Sequence, residues 1–168
     1  MEFLVATALY AIPLYITNAS SLLFGGGMPL DFGRKIGGRP ILGKGKTVRG
    51  TFSGLSFGIL SIFITGFLFP EAVAEAIGDY AAFGILLCSG SILGDLAGSF
   101  LKRRFGLKRG HPVLLLDQLD FVLGGILLSL AVRIPAPAEV ALIAVLTLVA
   151  HRITNFIAFK IRIKKVPW

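Results

Sequence analysis

The stretch YAAFGILLCSGSILGDLAGSFL, residues 80–101, is apolar over its whole length apart from one charge, Asp95. A helix needs about 20 mostly apolar residues to cross the roughly 30 Å hydrocarbon core of a bilayer. Four further stretches of the chain meet the same requirement. The five expected spans are 3–24, 50–70, 80–101, 112–132 and 140–159. The sequence therefore predicts an all-α integral membrane protein, with a bundle of five transmembrane helices forming one membrane domain over residues 1–168.

The composition of the 168-residue chain agrees with this prediction. Hydrophobic residues make up 55% and charged residues 15%, and the mean hydropathy is +0.83. Soluble domains carry about 25% charged residues, so the composition excludes a water-soluble globule and a disordered chain. The single cysteine, Cys88, excludes a disulfide framework and a cysteine-based zinc site. The first span lacks a basic n-region and a small-residue cleavage site, so we interpret it as a retained helix rather than a signal peptide.

The basic residues are unevenly distributed between the connections. Fifteen of the 17 Lys and Arg residues lie in loop 25–49, in loop 102–111 and after residue 159, whereas connection 71–79 carries only acidic charges. The positive-inside rule then places the N-terminus outside and the two basic loops and the C-terminus in the cytoplasm. On a membrane protein, a net charge of +8 indicates basic residues that set the topology, contact anionic lipid or bind a phosphorylated substrate, rather than a nucleic-acid-binding function. The glycine-rich loop 25–49 either contacts a ligand through its backbone or only sets the topology.

Three aspartates lie within the predicted spans, where each costs about 3 kcal/mol. Asp117 and Asp120 share one helix face at i, i+3 spacing. On the preceding span, glycines that would allow close helix contact recur every four residues at Gly90, Gly94 and Gly98. We therefore expect Asp95, Asp117 and Asp120 to meet at the contact between the two spans. From the predicted span ends, Asp95 and Asp117 lie roughly 7–10 Å inside the cytoplasmic boundary.

Three carboxylates in a low-dielectric site must retain protons, pair with Lys or Arg, or bind cations. A structural cluster and a proton or cation pathway are thus open alternatives to a metal site. Hard oxygen ligands suit Mg²⁺, and two Mg²⁺ ions, or Mn²⁺ in their place, would more than neutralise three carboxylates. No histidine is expected nearby, because His151 belongs to another span. Arg152 either lies about 12 Å deep, level with the aspartates, or extends to the interface. Acids ringed by bases fit a metal–polyphosphate ligand.

Two motifs resemble the signature of the CDP-diacylglycerol synthases (phosphatidate cytidylyltransferases). Residues 99–103, Ser-Phe-Leu-Lys-Arg, followed by Lys108, resemble its first half, and residues 117–120, Asp-Gln-Leu-Asp, resemble its closing D-R-aliphatic-D. Gln118 replaces the arginine, and the His-Gly-Gly stretch of the signature is absent. With these departures the chain resembles the archaeal branch, the CDP-archaeol synthases, over nearly its whole length. That branch also shows patterns like those at 26–33, 45–50 and 94–95.

The resemblance implies a cytidylyltransferase at the cytoplasmic side of the cell membrane. Its substrates would be CTP and an isoprenoid ether lipid phosphate, digeranylgeranylglyceryl phosphate, whose phosphate attacks the α-phosphate of CTP in line and releases pyrophosphate. The implied catalytic and metal-binding residues are Asp95, Asp117 and Asp120, with Lys102 as a further catalytic residue. The implied substrate-binding residues are Lys46, Arg49, Asn18, Asp31, Ser91, Ser99, Arg103 and Lys108. The resemblance implies that Asn18 and Asp31 contact cytosine or ribose; the alternative is that Asn18 belongs to a polar patch and Asp31 to a turn. It implies that Ser91 and Ser99 contact phosphate or metal-bound water; the alternative is that these serines only pack between helices.

Three other functions were weighed against this one. A CDP-alcohol phosphotransferase requires D-x-x-D-G-x-x-A-R, but Phe121 follows Asp120 here. The stretch 43–47 lacks the spacing of a P-loop. A small proton- or cation-coupled transporter that uses the intramembrane carboxylates is the remaining alternative, although no internal repeat supports it. The sequence does not indicate an oligomeric state.

Overall fold

The computed structural model describes residues 2–107, 113, 115–160 and 162. Within these residues the chain forms six α-helices and one short hairpin. They are α1 Glu2–Leu23, β1 Lys35–Ile36, β2 Arg39–Pro40, α2 Val48–Leu68, α3 Pro70–Ala76, α4 Tyr80–Arg104, α5 Leu116–Ser129 and α6 Pro137–Lys160. In the described part of the chain, α1, α2, α4 and residues 137–157 of α6 are long and apolar enough to cross a membrane. The chain is thus an all-helical, multi-pass membrane protein.

The predicted close approach of α4 and α5 is confirmed. A Cβ added at Gly94 would overlap the Asp120 carbonyl oxygen and lie 2.9 Å from the Gly124 Cα, and one at Gly90 would overlap the Gly124 carbonyl. Only glycine allows the two backbones to touch at these positions. The contact brings the face of α4 that carries Gly98 against Asp120 of α5, which is the face that the sequence predicts.

The interior of the bundle is built from aromatic and aliphatic side chains of all six helices. Tyr10 and Phe83 are fully buried and pack edge to face with ring centroids 4.7 Å apart. Many large apolar side chains instead point outward, as expected where lipid is the solvent, among them Phe63 and Phe67 of α2 and Val149 and Phe156 of α6.

Two connections contain structure that the sequence analysis did not predict. Connection 71–79, expected as a loop, contains most of α3. Loop 25–49 contains the hairpin β1–β2, in which Ile36 pairs with Arg39. Gly37 and Gly38 form its two-residue turn with φ of +58° and +76°, values that favour glycine.

The fourth expected span, 112–132, is corrected to a shorter helix. Helix α5 has 14 residues, or about 21 Å of helix, because Leu115 adopts a φ of +70° immediately before it. Asp117 therefore lies in the first turn of α5 rather than five residues inside a helix that begins at residue 112. Residues 108–112 and 114 lie outside the described residues.

Candidate active site

A cavity of about 180 Å³ is lined by helices α1, α4, α5 and α6, by the start of α2 and by the loop that precedes α2. Its lining is unusually polar for a position between membrane helices. The polar lining residues are Asn18, Ser21, Lys46, Thr47, Thr51, Asp95, Asp117 and His151. Two of the three predicted aspartates thus share one cavity with a basic residue of the glycine-rich loop.

Lys46 and Asp95 form the ion pair at the α4 wall of the cavity. The Lys46 Nζ lies 2.5 Å from Asp95 Oδ1 and 2.6 Å from Oδ2, and both side chains are about one quarter exposed. The position of Lys46 follows from Thr47, which caps α2 by accepting hydrogen bonds from the Gly50 and Gly26 N–H groups. The start of α2 therefore aims the basic loop at the acid of α4.

Lys102 and Asp117 form a second ion pair, between the end of α4 and the first turn of α5. Lys102 Nζ donates to Asp117 Oδ1 at 2.5 Å, and the Val113 N–H donates to Oδ2 at 3.1 Å. The Asp117 side chain is one third exposed, so it faces both its lysine and the cavity.

Asp120 is the most buried of the three aspartates, with 8% exposure. Its Oδ1 accepts a hydrogen bond from the Phe121 N–H at 2.7 Å, and its Oδ2 occupies the space that a side chain at Gly98 would need. Asp95, Lys102 and Lys46 all act electrostatically on this carboxyl group. Asp120 therefore lies behind the cavity wall, in electrostatic contact with both ion pairs.

The three aspartates do not by themselves form a preassembled metal site. Among the described residues, no three His, Cys, Asp or Glu side chains are close enough together to hold one ion. Instead, Lys46 forms an ion pair with Asp95 and Lys102 with Asp117. The sequence left this pairing of aspartates with basic residues open as an alternative to a metal site. The donor chemistry nevertheless fits Mg²⁺, which commonly uses one or two carboxylates and completes its coordination with substrate phosphates and water.

The other predicted site residues that the structure describes are not among the residues that line the cavity. Arg49 is exposed, and Ser91 and Ser99 are buried between helices; within the described structure the Ser91 hydroxyl has no hydrogen-bond partner. Arg103 lies in a separate cleft. Lys108 lies outside the described residues. Arg152 is exposed, in agreement with the interfacial alternative.

Asp31 organises the glycine-rich loop and does not line the cavity. Its side chain accepts hydrogen bonds from the N–H groups of Gly33, Leu42 and Gly43 at 2.8–3.0 Å. Burial disfavours the charged carboxylate, but the hydrogen bonds from Gly43, Leu42 and Gly33 outweigh it and lower the pKa of Asp31. The local contacts are those of the turn-residue alternative.

His151 is a cavity residue that the sequence analysis missed. Its ring lies 6.1 Å from that of Phe121, and the side chain lines the cavity together with Asp95 and Asp117. The expectation that no histidine lies near the aspartates is therefore wrong. A polar side chain within an apolar span was the available signal, but the face of α6 that meets the cavity depends on packing that the sequence does not display.

Comparisons with known proteins agree with this arrangement of helices and charges. A family model described as CarS-like, CDP-archaeol synthase, matches residues 1–168. CDP-archaeol synthases from Pyrococcus horikoshii and Methanopyrus kandleri are 41% and 43% identical to this chain. Each alignment covers 95% of this chain, and 94% and 90% of the respective relative.

A solved structure described as an intramembrane enzyme for archaeal membrane lipid biosynthesis matches with a TM-score of 0.79 and 33% identity. The match covers 88% of this chain and 91% of that one. These matches give no support to the transporter alternative. The family model and the full-length relatives show that the chain belongs to the CarS-like family of CDP-archaeol synthases and is a cytidylyltransferase of membrane-lipid synthesis.

Proposed function

We propose that this enzyme transfers the cytidylyl group of CTP to an ether-linked isoprenoid lipid phosphate, digeranylgeranylglyceryl phosphate, and releases pyrophosphate. A lipid phosphate oxygen forms a bond to the α-phosphorus of CTP while the bond from that phosphorus to the β-phosphate bridging oxygen breaks. The nucleophile is already an anion, so the protein needs no serine or cysteine nucleophile. The observation that carries the proposal is the cavity in which Lys46, Asp95 and Asp117 meet.

The two lysines are the proposed phosphate ligands. Each ammonium group pairs with a carboxylate at about 2.5 Å, and Asp95 and Asp117, the acids of the two pairs, both line the cavity. Transfer of Lys46 and Lys102 from carboxylate to phosphate oxygens would hold the triphosphate of CTP and leave Asp95 and Asp117 free. Asn18, half-buried in the cavity wall, is positioned to contact the ribose or the cytosine of the same nucleotide.

Asp95 and Asp117 are the proposed holders of Mg²⁺, with Asp120 behind them as the third acid. Bound Mg²⁺, or Mn²⁺ in its place, would neutralise phosphate charge and make the α-phosphorus easier to attack. The buried carboxylate of Asp120 adds negative charge close to both ion pairs. This charge favours cations at the site whether they are lysine side chains or metal ions.

Five membrane crossings with an external N-terminus and a cytoplasmic C-terminus are also part of the proposal. Helix α5 is short, but the turns on either side of it, together with its outward-facing Leu123 and Leu127, support a fifth passage through the bilayer. The basic loops then lie on the cytoplasmic side, where CTP is present, and the lipid phosphate reaches the same level from within the leaflet.

The proposed reaction is tested with the purified full-length enzyme in detergent, labelled CTP and Mg²⁺. Either the ether lipid phosphate or an ester phosphatidate of similar chain length is supplied, and the products are separated by chromatography. We expect a labelled CDP-lipid from the ether substrate, and none when Mg²⁺ is chelated. Labelled lipid from GTP but not CTP, or label transfer that is independent of divalent cations, would contradict the proposal.

A further inference from the structure

A second cavity of about 440 Å³ lies between the hairpin β1–β2 and the end of α4. It shares no lining residue with the cavity that contains Asp95 and Asp117. Its three cationic lining residues are Arg39, Lys44 and Arg103. We name it the hairpin cleft.

The hairpin cleft is held together by a network of backbone carbonyls and arginines. Arg104 donates hydrogen bonds to the carbonyl oxygens of Ile36, Arg39 and Pro40. Arg39 donates in return to the Arg104 carbonyl and lies against Gly106, where an added Cβ would be 3.2 Å from the guanidinium carbon. These bonds fix the hairpin to α4, so the cleft is part of the folded structure.

The positive charge of the cleft is not neutralised by the protein within the described residues. The ion pairs among the described residues involve Lys46, Lys102 and Arg133, and neither Lys44 nor the Arg103 side chain takes part in them. The Nε of Arg103 is buried without a hydrogen-bond partner in the described structure. Asp31 lies behind Gly43, but its carboxylate oxygens already accept three backbone N–H bonds.

Large apolar side chains lie beside the cleft. Phe105 precedes the lining residue Gly106 and is 76% exposed, and Ile36 of the hairpin is 51% exposed. Exposed aromatic residues next to arginines are typical of the membrane–water interface, where the ring enters the lipid and the charge meets phosphate. Burying an arginine nitrogen without a partner costs free energy, which an incoming phosphate oxygen would recover.

We infer that the hairpin cleft is a phosphate-binding site, separate from the candidate active site, that uses Lys44 and Arg103 as its principal ligands. The phosphate group belongs either to an anionic lipid in the adjacent leaflet or to a soluble polyphosphate such as pyrophosphate. The inference stands on the cleft alone and does not depend on the reaction proposed above. It gives Arg103 a role outside the cavity in which the resemblance had placed it.

The test measures phosphate binding by isothermal titration calorimetry in detergent with the full-length protein carrying Lys46→Ala, a substitution that we expect to weaken binding at the other cavity. The two ligands are inorganic pyrophosphate and dihexanoyl phosphatidic acid below its micellar concentration, and dihexanoyl phosphatidylcholine is the uncharged control lipid. Adding Lys44→Gln and Arg103→Gln removes two charge-assisted contacts and should weaken binding of at least one anionic ligand about tenfold or more. Lys35→Gln, an exposed charge on β1 outside the cleft lining, should leave it unchanged.

Each result decides the inference. Weakened binding of only the lipid phosphate, only pyrophosphate, or both supports the site and identifies its source of phosphate. Absence of saturable binding in the Lys46→Ala protein, undiminished binding after the two cleft substitutions, or an equal loss with Lys35→Gln overturns it. If the combined variant does not elute as a folded protein, Lys44→Gln alone removes an exposed side chain and should produce a smaller loss in the same direction.

Discussion

Replacing Lys46 with alanine should weaken the affinity for CTP while lowering the free energy of unfolding only slightly. Lys46 contacts both carboxylate oxygens of Asp95, at 2.5 and 2.6 Å, and the two side chains are 26% and 22% exposed. An ion pair with this access to solvent contributes at most about 1 kcal/mol to stability. A charge-assisted hydrogen bond from the same ammonium to phosphate contributes about 1.5–3 kcal/mol.

The difference between these two contributions sets the size of the effect. Leaving Asp95 costs Lys46 up to about 1 kcal/mol, so the net gain on binding CTP is about 0.5–2 kcal/mol. Lys46→Ala should therefore raise the Kd for CTP roughly 2- to 30-fold, while lowering the free energy of unfolding by no more than about 1 kcal/mol.

Equilibrium binding of labelled CTP in the presence of Mg²⁺, together with thermal unfolding in the same detergent, measures both quantities. Lys35→Ala is the matched control, because it removes the same charge from an exposed position of the same loop. An unchanged CTP affinity for Lys46→Ala, or an equal loss for Lys35→Ala, would refute the assignment of Lys46 as a phosphate ligand.

Three further predictions follow from the site and the fold. Asp120→Asn should abolish incorporation of labelled CTP into lipid while the protein elutes as the wild type does; wild-type turnover would remove Asp120 from the mechanism. Gly94→Val should separate α4 from α5, because the valine side chain would overlap the Asp120 carbonyl oxygen. We expect it to lower the free energy of unfolding by at least about 3 kcal/mol. Gly66→Val is the control, because the nearest atom to a Cβ at Gly66 is 3.9 Å away. Asp31→Asn should destabilise the protein by about 2 kcal/mol at pH 7. Because folding lowers the pKa of Asp31, the difference in unfolding free energy between variant and wild type should narrow only as the pH falls below about 4. A difference in unfolding free energy that persists unchanged at lower pH would contradict a charge-based role.

Helix packing was the most predictable part of this molecule. Gly90, Gly94 and Gly98 recur at a spacing that has one structural use in an apolar helix, and the structure places them directly against Gly124 and Asp120. The long apolar stretches likewise predicted α1, α2, α4 and α6, because hydrocarbon thickness sets the length of a spanning helix.

The parts that sequence reasoning missed depend on contacts between segments that are distant in the chain. The local pattern gives no sign that Leu115 interrupts the fourth span, because leucine rarely adopts a positive φ. Whether His151 lines the cavity depends on the orientation of α6 about its own axis. The sequence does not determine this orientation, because the surface of α6 is almost uniformly apolar. The pairing of Lys46 with Asp95 joins residues 49 positions apart, and charge alone could not distinguish Lys46 from its neighbour Lys44.

The pairing of lysines with aspartates gives a physical reason for how an intramembrane site can hold three acids before substrate arrives. Unpaired, Asp95, Asp117 and Asp120 would place like charges in a region of low dielectric constant, at a cost that a protein avoids by supplying cations. Lys46 and Lys102 supply two such cations and reach them from flexible stems at the edge of the bundle. A nucleotide that brings phosphate oxygens for the lysines, accompanied by divalent cations for the carboxylates, would leave Asp95 and Asp117 each beside a cation both before and after the exchange. The two ion pairs are therefore compatible with a catalytic site, because the side chains that neutralise each other are those that a metal–triphosphate ligand would separate.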